Sequence, residues 1–133
     1  MLNWNRILPA TVDAVETFCL SLRRELAGSW RRSDAFAAEL VLREVMANAV
    51  EHGGRFEPGQ TIAVQLTADG ARFKARVSDH GQGFEASAVL GVATGERGRG
   101  LRILDLYATT HAFEDGGRTV AFELPLRPAK SKE

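Results

Sequence analysis

Cysteine is nearly absent from this 133-residue sequence, Cys19 being the only one. An internal disulfide is therefore excluded, and the apolar helical pattern around Cys19 reads it as a small buried hydrophobe. Net charge is missing as well: 17 Lys+Arg stand against 17 Asp+Glu. No global field then draws the chain to nucleic acid or to an anionic membrane. No apolar run reaches the roughly 18 residues of a membrane span. The start, MLNWNRILPA, lacks the basic opening and apolar centre of a secretion signal. Internal repeats and low-complexity tracts are not seen either. A cytoplasmic protein with no direct contact to nucleic acid or membrane is the expectation. What is present suits it, since 44% apolar and 26% charged residues at this length support one ordinary globular core.

Along the chain, residues 2 to 8 alternate weakly and predict an edge strand ended by Pro9. From Thr11, the apolar residues Val12, Val15, Phe18, Cys19, Leu22 and Leu26 recur at helical spacing, and Gly28 closes the pattern. Trp30, Arg31 and Arg32 form a short connection. Ser33 is placed to cap the next helix, with Asp34 in its first turn favouring the dipole. That helix runs to His52 and stops at Gly53-Gly54. After Pro58-Gly59 the period becomes two. Ile62, Val64 and Leu66 alternate, Asp69-Gly70 turns, and Phe73, Ala75 and Val77 return on one face with Arg72, Lys74, Arg76 and Ser78 on the other. Parity places Asp79 on the apolar side. A stretch without periodicity from His80 to Glu96 is long for a structureless loop. Gly98-Arg99-Gly100 opens a short helix, and a hairpin turns at Asp115-Gly116-Gly117 before Val120, Phe122 and Leu124. The order β-α-α-β-β-loop-α-β-β predicts an α+β two-layer sandwich, a mostly antiparallel sheet with its helices on one face. Residues 1–126 read as one domain and 127–133 as a frayed tail.

The chain is organised around Glu39 to Gly54, ELVLREVMANAVEHGG. Its apolar positions Leu40, Val41, Val45 and Ala49 flank a polar row, Glu44, Asn48 and His52, on one side of a helix. A partly covered carboxylate and amide cost free energy unless they have partners. Two later segments offer a reason for the row. In Asp79-x-Gly81-x-Gly83, a carboxylate at a strand end precedes two glycines that leave room for a flat ligand. In Gly98-x-Gly100-Leu101, glycines precede a helix start, where unpaired N–H groups and the dipole favour phosphate. Together the three segments describe a nucleotide site with residues 84–96 as a lid.

These segments resemble the N, G1 and G2 boxes of the GHKL (Bergerat-fold) ATPases. ELVLREVMANAVEHGG is similar to the N box, VSDHGQGFE to G1 and GERGRGLRIL to G2. Over nearly the whole length the chain resembles the SpoIIAB-like branch, the small bacterial anti-sigma-factor serine kinases. The resemblance implies that Asn48 holds Mg²⁺ and that Asp79 accepts from the adenine amine of ATP. Gly81 and Gly83 would flank base and ribose. Gly98, Gly100 and neighbouring amides, including that of Leu101, would cradle phosphates. Arg97 and Arg99 are each within reach of a γ-phosphate, and the register does not choose between them. Glu44 would be the catalytic base for an incoming hydroxyl. Glu51 and His52 read as a solvated carboxylate and a helix-end histidine.

In that branch the hydroxyl belongs to a Ser or Thr of an anti-sigma-factor antagonist (a STAS-type protein), and the kinase, as a homodimer, alternatively sequesters a sigma factor. The resemblance thus implies partner switching in transcription control. The alternative is an interaction module that binds nucleotide and sequesters a partner without transferring phosphate. Retention of Glu44 favours the kinase.

Overall fold

The structure is a computed structural model that describes residues 2–53, 59–79 and 102–129, with the backbone alone at 52 and 53. Five strands form one sheet. β1 (Leu2–Pro9), β2 (Thr61–Ala68), β3 (Arg72–Asp79), β4 (Thr110–Glu114) and β5 (Thr119–Pro125) lie in the order β1-β2-β3-β5-β4. Every neighbouring pair is antiparallel. The chain therefore leaves β3, reaches the far edge at β4, and returns through the Asp115–Gly117 turn to lay β5 against β3. Two long helices, α1 (Val12–Leu26) and α2 (Arg32–Gly53), cover one face, and a helical segment at 102–107 precedes β4. The result is the two-layer α/β sandwich that the pattern of elements predicts.

Alternation along β2 and β3 decides which sheet face is dry. Ile62, Val64, Leu66 and Ala68 are buried on β2, as are Phe73, Ala75, Val77 and Asp79 on β3. Lys74 and Arg76 stand on the opposite, uncovered face, where Arg76 pairs with Glu114 at 2.7 Å. The hairpin between these strands has Gly70 at φ +101°, a left-handed conformation that disfavours any side chain. Asp69 Oδ1 accepts from the amides of Ala71 and Arg72, both at 3.2 Å, and so fixes the turn.

Helix α1 begins where a threonine can cap it: Thr11 Oγ1 accepts from the Ala14 amide at 3.1 Å. Val15, Phe18, Cys19, Leu22 and Leu26 form its buried stripe, whereas Val12 is exposed. The first residue after the cap lies outside the run that the sheet covers. Phe18 meets Trp4 of β1 edge-on at 5.4 Å, joining α1 to the edge strand.

Helix α2 has a broader dry face than its sequence suggests. Ala38, Val41, Leu42, Val45, Met46 and Ala49 are all buried, and Leu40 is half-buried. The helix lies over β2, β3 and β5 on one side and packs against α1 on another. Two contact directions widen the apolar stripe and bring Leu42 and Met46 into it. Between the helices, Glu39 accepts from Arg23 Nε and Nη2 at 2.8 and 2.7 Å and from Arg43 at 2.8 Å, while Arg43 also reaches Glu16.

Two sequence expectations change at the start of α2. Ser33 is not the cap: the helix opens at Arg32, two residues earlier than a Ser33 cap would place it, and the Ala35 amide already bonds the Arg31 carbonyl at 2.9 Å. Asp34 does more than face the dipole. It accepts three bonds from Arg127, at 3.0 Å from the backbone amide and at 2.8 Å from Nε and from Nη2. The frayed tail accordingly does not begin at residue 127. Arg31 donates to the Arg127 carbonyl, Ala129 donates to the Ser29 carbonyl, and Trp30 bridges Pro128. Buried Asp34 needs a cation, and Arg127, two residues past the end of β5, supplies it.

Candidate nucleotide site

The helix–sheet geometry brings Asn48 and Asp79 together although 30 residues separate them in the sequence. Asn48 lies on the sheet-facing side of α2, one turn after Val45 and beside Ala49. Asp79 is the last residue of β3, on the face that meets α2. Both are 9% exposed. They line one small depression with Val45, Ala49, Val77 and Val120 as apolar walls, and Gly117 and Arg118 at its rim. A carboxylate and a carboxamide are thus held in a mostly apolar setting, where each polar contact is strengthened by the low local dielectric.

The Asn48 side chain carries an unmet valence. Its Nδ2 is buried and has no hydrogen-bond partner among the described residues. A buried donor left unpaired costs about 1–3 kcal/mol, and among the described residues nothing offsets that cost at Asn48. Glu44 stands one helical turn earlier on α2 and is half-buried, but it does not line the depression. The structure therefore unites Asn48 with Asp79 and leaves Glu44 beside them along the helix axis.

Gly117 and Arg118 are additions that the sequence reading missed. In the sequence Gly117 reads as part of a hairpin turn and Arg118 as the start of the strand after it. Pairing of Ser78 with Thr119 carries that turn to the end of β3, and the Asp79 amide donates to the Arg118 carbonyl at 2.9 Å. Their place follows from β5, rather than β4, lying next to β3. Strand order of that kind leaves no local signal in the sequence.

Gly81, Gly83, Arg97, Gly98, Arg99, Gly100 and Leu101 lie outside the described residues, as do the 84–96 segment and the side chain of His52. The segment that carries them leaves from Asp79 and re-enters the described chain at Arg102. Among the described residues, three larger concavities, on the uncovered sheet face, at the α1–α2 corner and between β1 and α1, lie elsewhere and have no buried carboxylate–carboxamide pair. Chemistry rather than volume marks the Asn48–Asp79 depression.

A family model described as a histidine kinase-like ATPase domain matches residues 8–124. The chain belongs to this family. The match runs from the end of β1 to Leu124 in β5 and includes every element that forms the depression, so the sandwich is an ATPase fold of the GHKL superfamily and ATP is the ligand that membership implies. No curated protein matches the sequence.

The residues present suit that ligand. Asp79 offers a buried acceptor for an amine, and Asn48 offers a carboxamide whose nitrogen has no partner among the described residues. Among the described residues no three His, Cys, Asp or Glu side chains cluster as a metal cage. Among the described residues no helix is long and apolar enough to cross a membrane.

Proposed function

We propose that the protein is a cytoplasmic anti-sigma factor and an ATP-dependent serine/threonine kinase that phosphorylates an anti-sigma-factor antagonist. In this reading the homodimer captures a sigma factor, and phosphorylation of the antagonist leaves it free to do so. One observation carries the kinase part: half-buried Glu44 stands one turn of α2 before buried Asn48, whose amide nitrogen is unpaired among the described residues. The family match and the resemblance of the three boxes support the rest.

The chain's residues then divide the work. Asp79 selects the base by accepting from its exocyclic amine. Asn48 would hold Mg²⁺ through its side-chain oxygen. ATP with this ion supplies the transferable phosphoryl group and its leaving group. Glu44 orients the partner's hydroxyl and takes its proton as that oxygen bonds to phosphorus. Val45, Ala49, Val77 and Val120 keep water from the polar pair.

The test is calorimetric titration with Mg-ATP of wild type, Asp79→Asn and Glu44→Ala, followed by transfer of labelled phosphate to an antagonist domain. Wild type and Glu44→Ala bind nucleotide, while Asp79→Asn does not. Transfer by Glu44→Ala falls by about 10²–10⁴-fold, the usual contribution of a positioned base. Absence of binding in wild type overturns the ATP site. Equal transfer by Glu44→Ala overturns the base assignment.

A further inference from the structure

A groove of about 790 Å³ lies at the corner where α1 turns into α2. With about 1.5 Å of rise per residue, Phe36 at this corner and Asn48 stand roughly 18 Å apart along α2. The groove is thus separate from the nucleotide site. Its apolar surface comes from Leu26, Trp30 and Phe36, and its charge from Arg23, Arg31 and Arg32. Phe36 is 64% exposed, although α2 buries six other apolar residues in the core.

The charge of the groove is one-sided once existing pairs are removed. Glu39 is the carboxylate in its lining, and its oxygens are already taken by Arg23 and Arg43. Asp34, buried at the same corner, is engaged by Arg127. Arg31 and Arg32 are exposed and form no salt bridge among the described residues. In a chain of zero formal net charge, this is local placement rather than a general basicity.

We propose that this groove docks an acidic segment of a partner polypeptide. An aromatic or aliphatic side chain of the segment seats against Trp30 and Phe36, and its carboxylates are held by Arg31 and Arg32. Guanidinium groups bind carboxylates in a two-pronged fashion, and Arg with Trp is a combination enriched at the energetic centres of interfaces. Nucleic acid is disfavoured because tracking a backbone takes many phosphate contacts. An anionic membrane is disfavoured because recognition there takes clusters of about 4–8 basic residues. Two uncommitted arginines beside exposed aromatic surface match a short peptide. The inference does not depend on phosphoryl transfer.

A displayed peptide library is selected on the whole chain. The enriched peptide, fluorescently labelled, is then titrated into wild type, Phe36→Ser and the double variant Arg31→Glu/Arg32→Glu. The selected sequences are expected to combine Asp or Glu with an aromatic or aliphatic residue. Each variant weakens binding by about tenfold or more, while the far-ultraviolet circular dichroism of each folded variant matches wild type. Four results overturn the proposal: no acidic enrichment; equal binding to wild type and variants; tighter binding of a single-stranded oligonucleotide or anionic vesicles with the same dependence on the variants; and loss of a wild-type dimer in Phe36→Ser by sedimentation. The last would make the face a contact between copies of the chain.

Discussion

Asp34 and Glu39 are buried carboxylates that keep their charge because arginines meet them. The bonds from Arg127 hold the Asp34 carboxyl below its ordinary value of 3.8, and those from Arg23, then Arg43, hold Glu39 below 4.5. Desolvation opposes both shifts and loses. A depressed folded value means that in acid the unfolded chain binds more protons than the folded one. Stability from these pairs is complete above the unfolded values and is lost as pH falls through the lower folded ones. Urea midpoints recorded from pH 7 to pH 2 should drop below about pH 4. Asp34→Asn should start lower at pH 7, show a shallower drop across the same window, and converge on wild type at the acid end.

At the scale of elements, α2 is both a core helix and the carrier of the candidate site, and its two ends differ in what a substitution does. Leu42 is fully buried between α1 and the sheet. Leu42→Ala should cost about 2–5 kcal/mol by leaving a cavity, read as a lower denaturant midpoint with an unchanged slope. The elements themselves were largely legible in the sequence, because period and parity are local signals. The alternation of Phe73, Ala75 and Val77 already pointed Asp79 at the helices, and helical spacing already put Asn48 in line with Glu44. Pairing between distant segments was not legible. Nothing near Gly117 says that its turn reaches Asp79, and nothing near Asp34 names Arg127, 93 residues away, as its partner. Those contacts follow from which strand lies beside β3, a choice settled by the whole sandwich.

Over the whole molecule, Cys19 offers a probe of opening. It is fully buried, and that burial pushes its thiol up to about 11, against the pull of the Arg43 guanidinium. The thiolate is the reactive form, so Ellman's reagent at pH 8 should label the native protein only as fast as it opens. Labelling should be prompt in denaturant, and its rate in mild urea should follow unfolding rather than reagent access. Fast labelling of the native protein would show that α1 lifts from the sheet on its own.

The strap formed by Arg127, Pro128 and Ala129 against residues 29–34 has a further consequence, in the order of events during synthesis. The first half of the chain emerges from the ribosome with α1 and α2 complete in sequence but with Asp34 lacking its cation. The corner closes only after β5 and the four residues beyond it, 126–129, have emerged, a late contact of high sequence separation. Ala129 is itself part of the groove wall. A partner that docks there therefore meets the complete groove only once Ala129 has joined it.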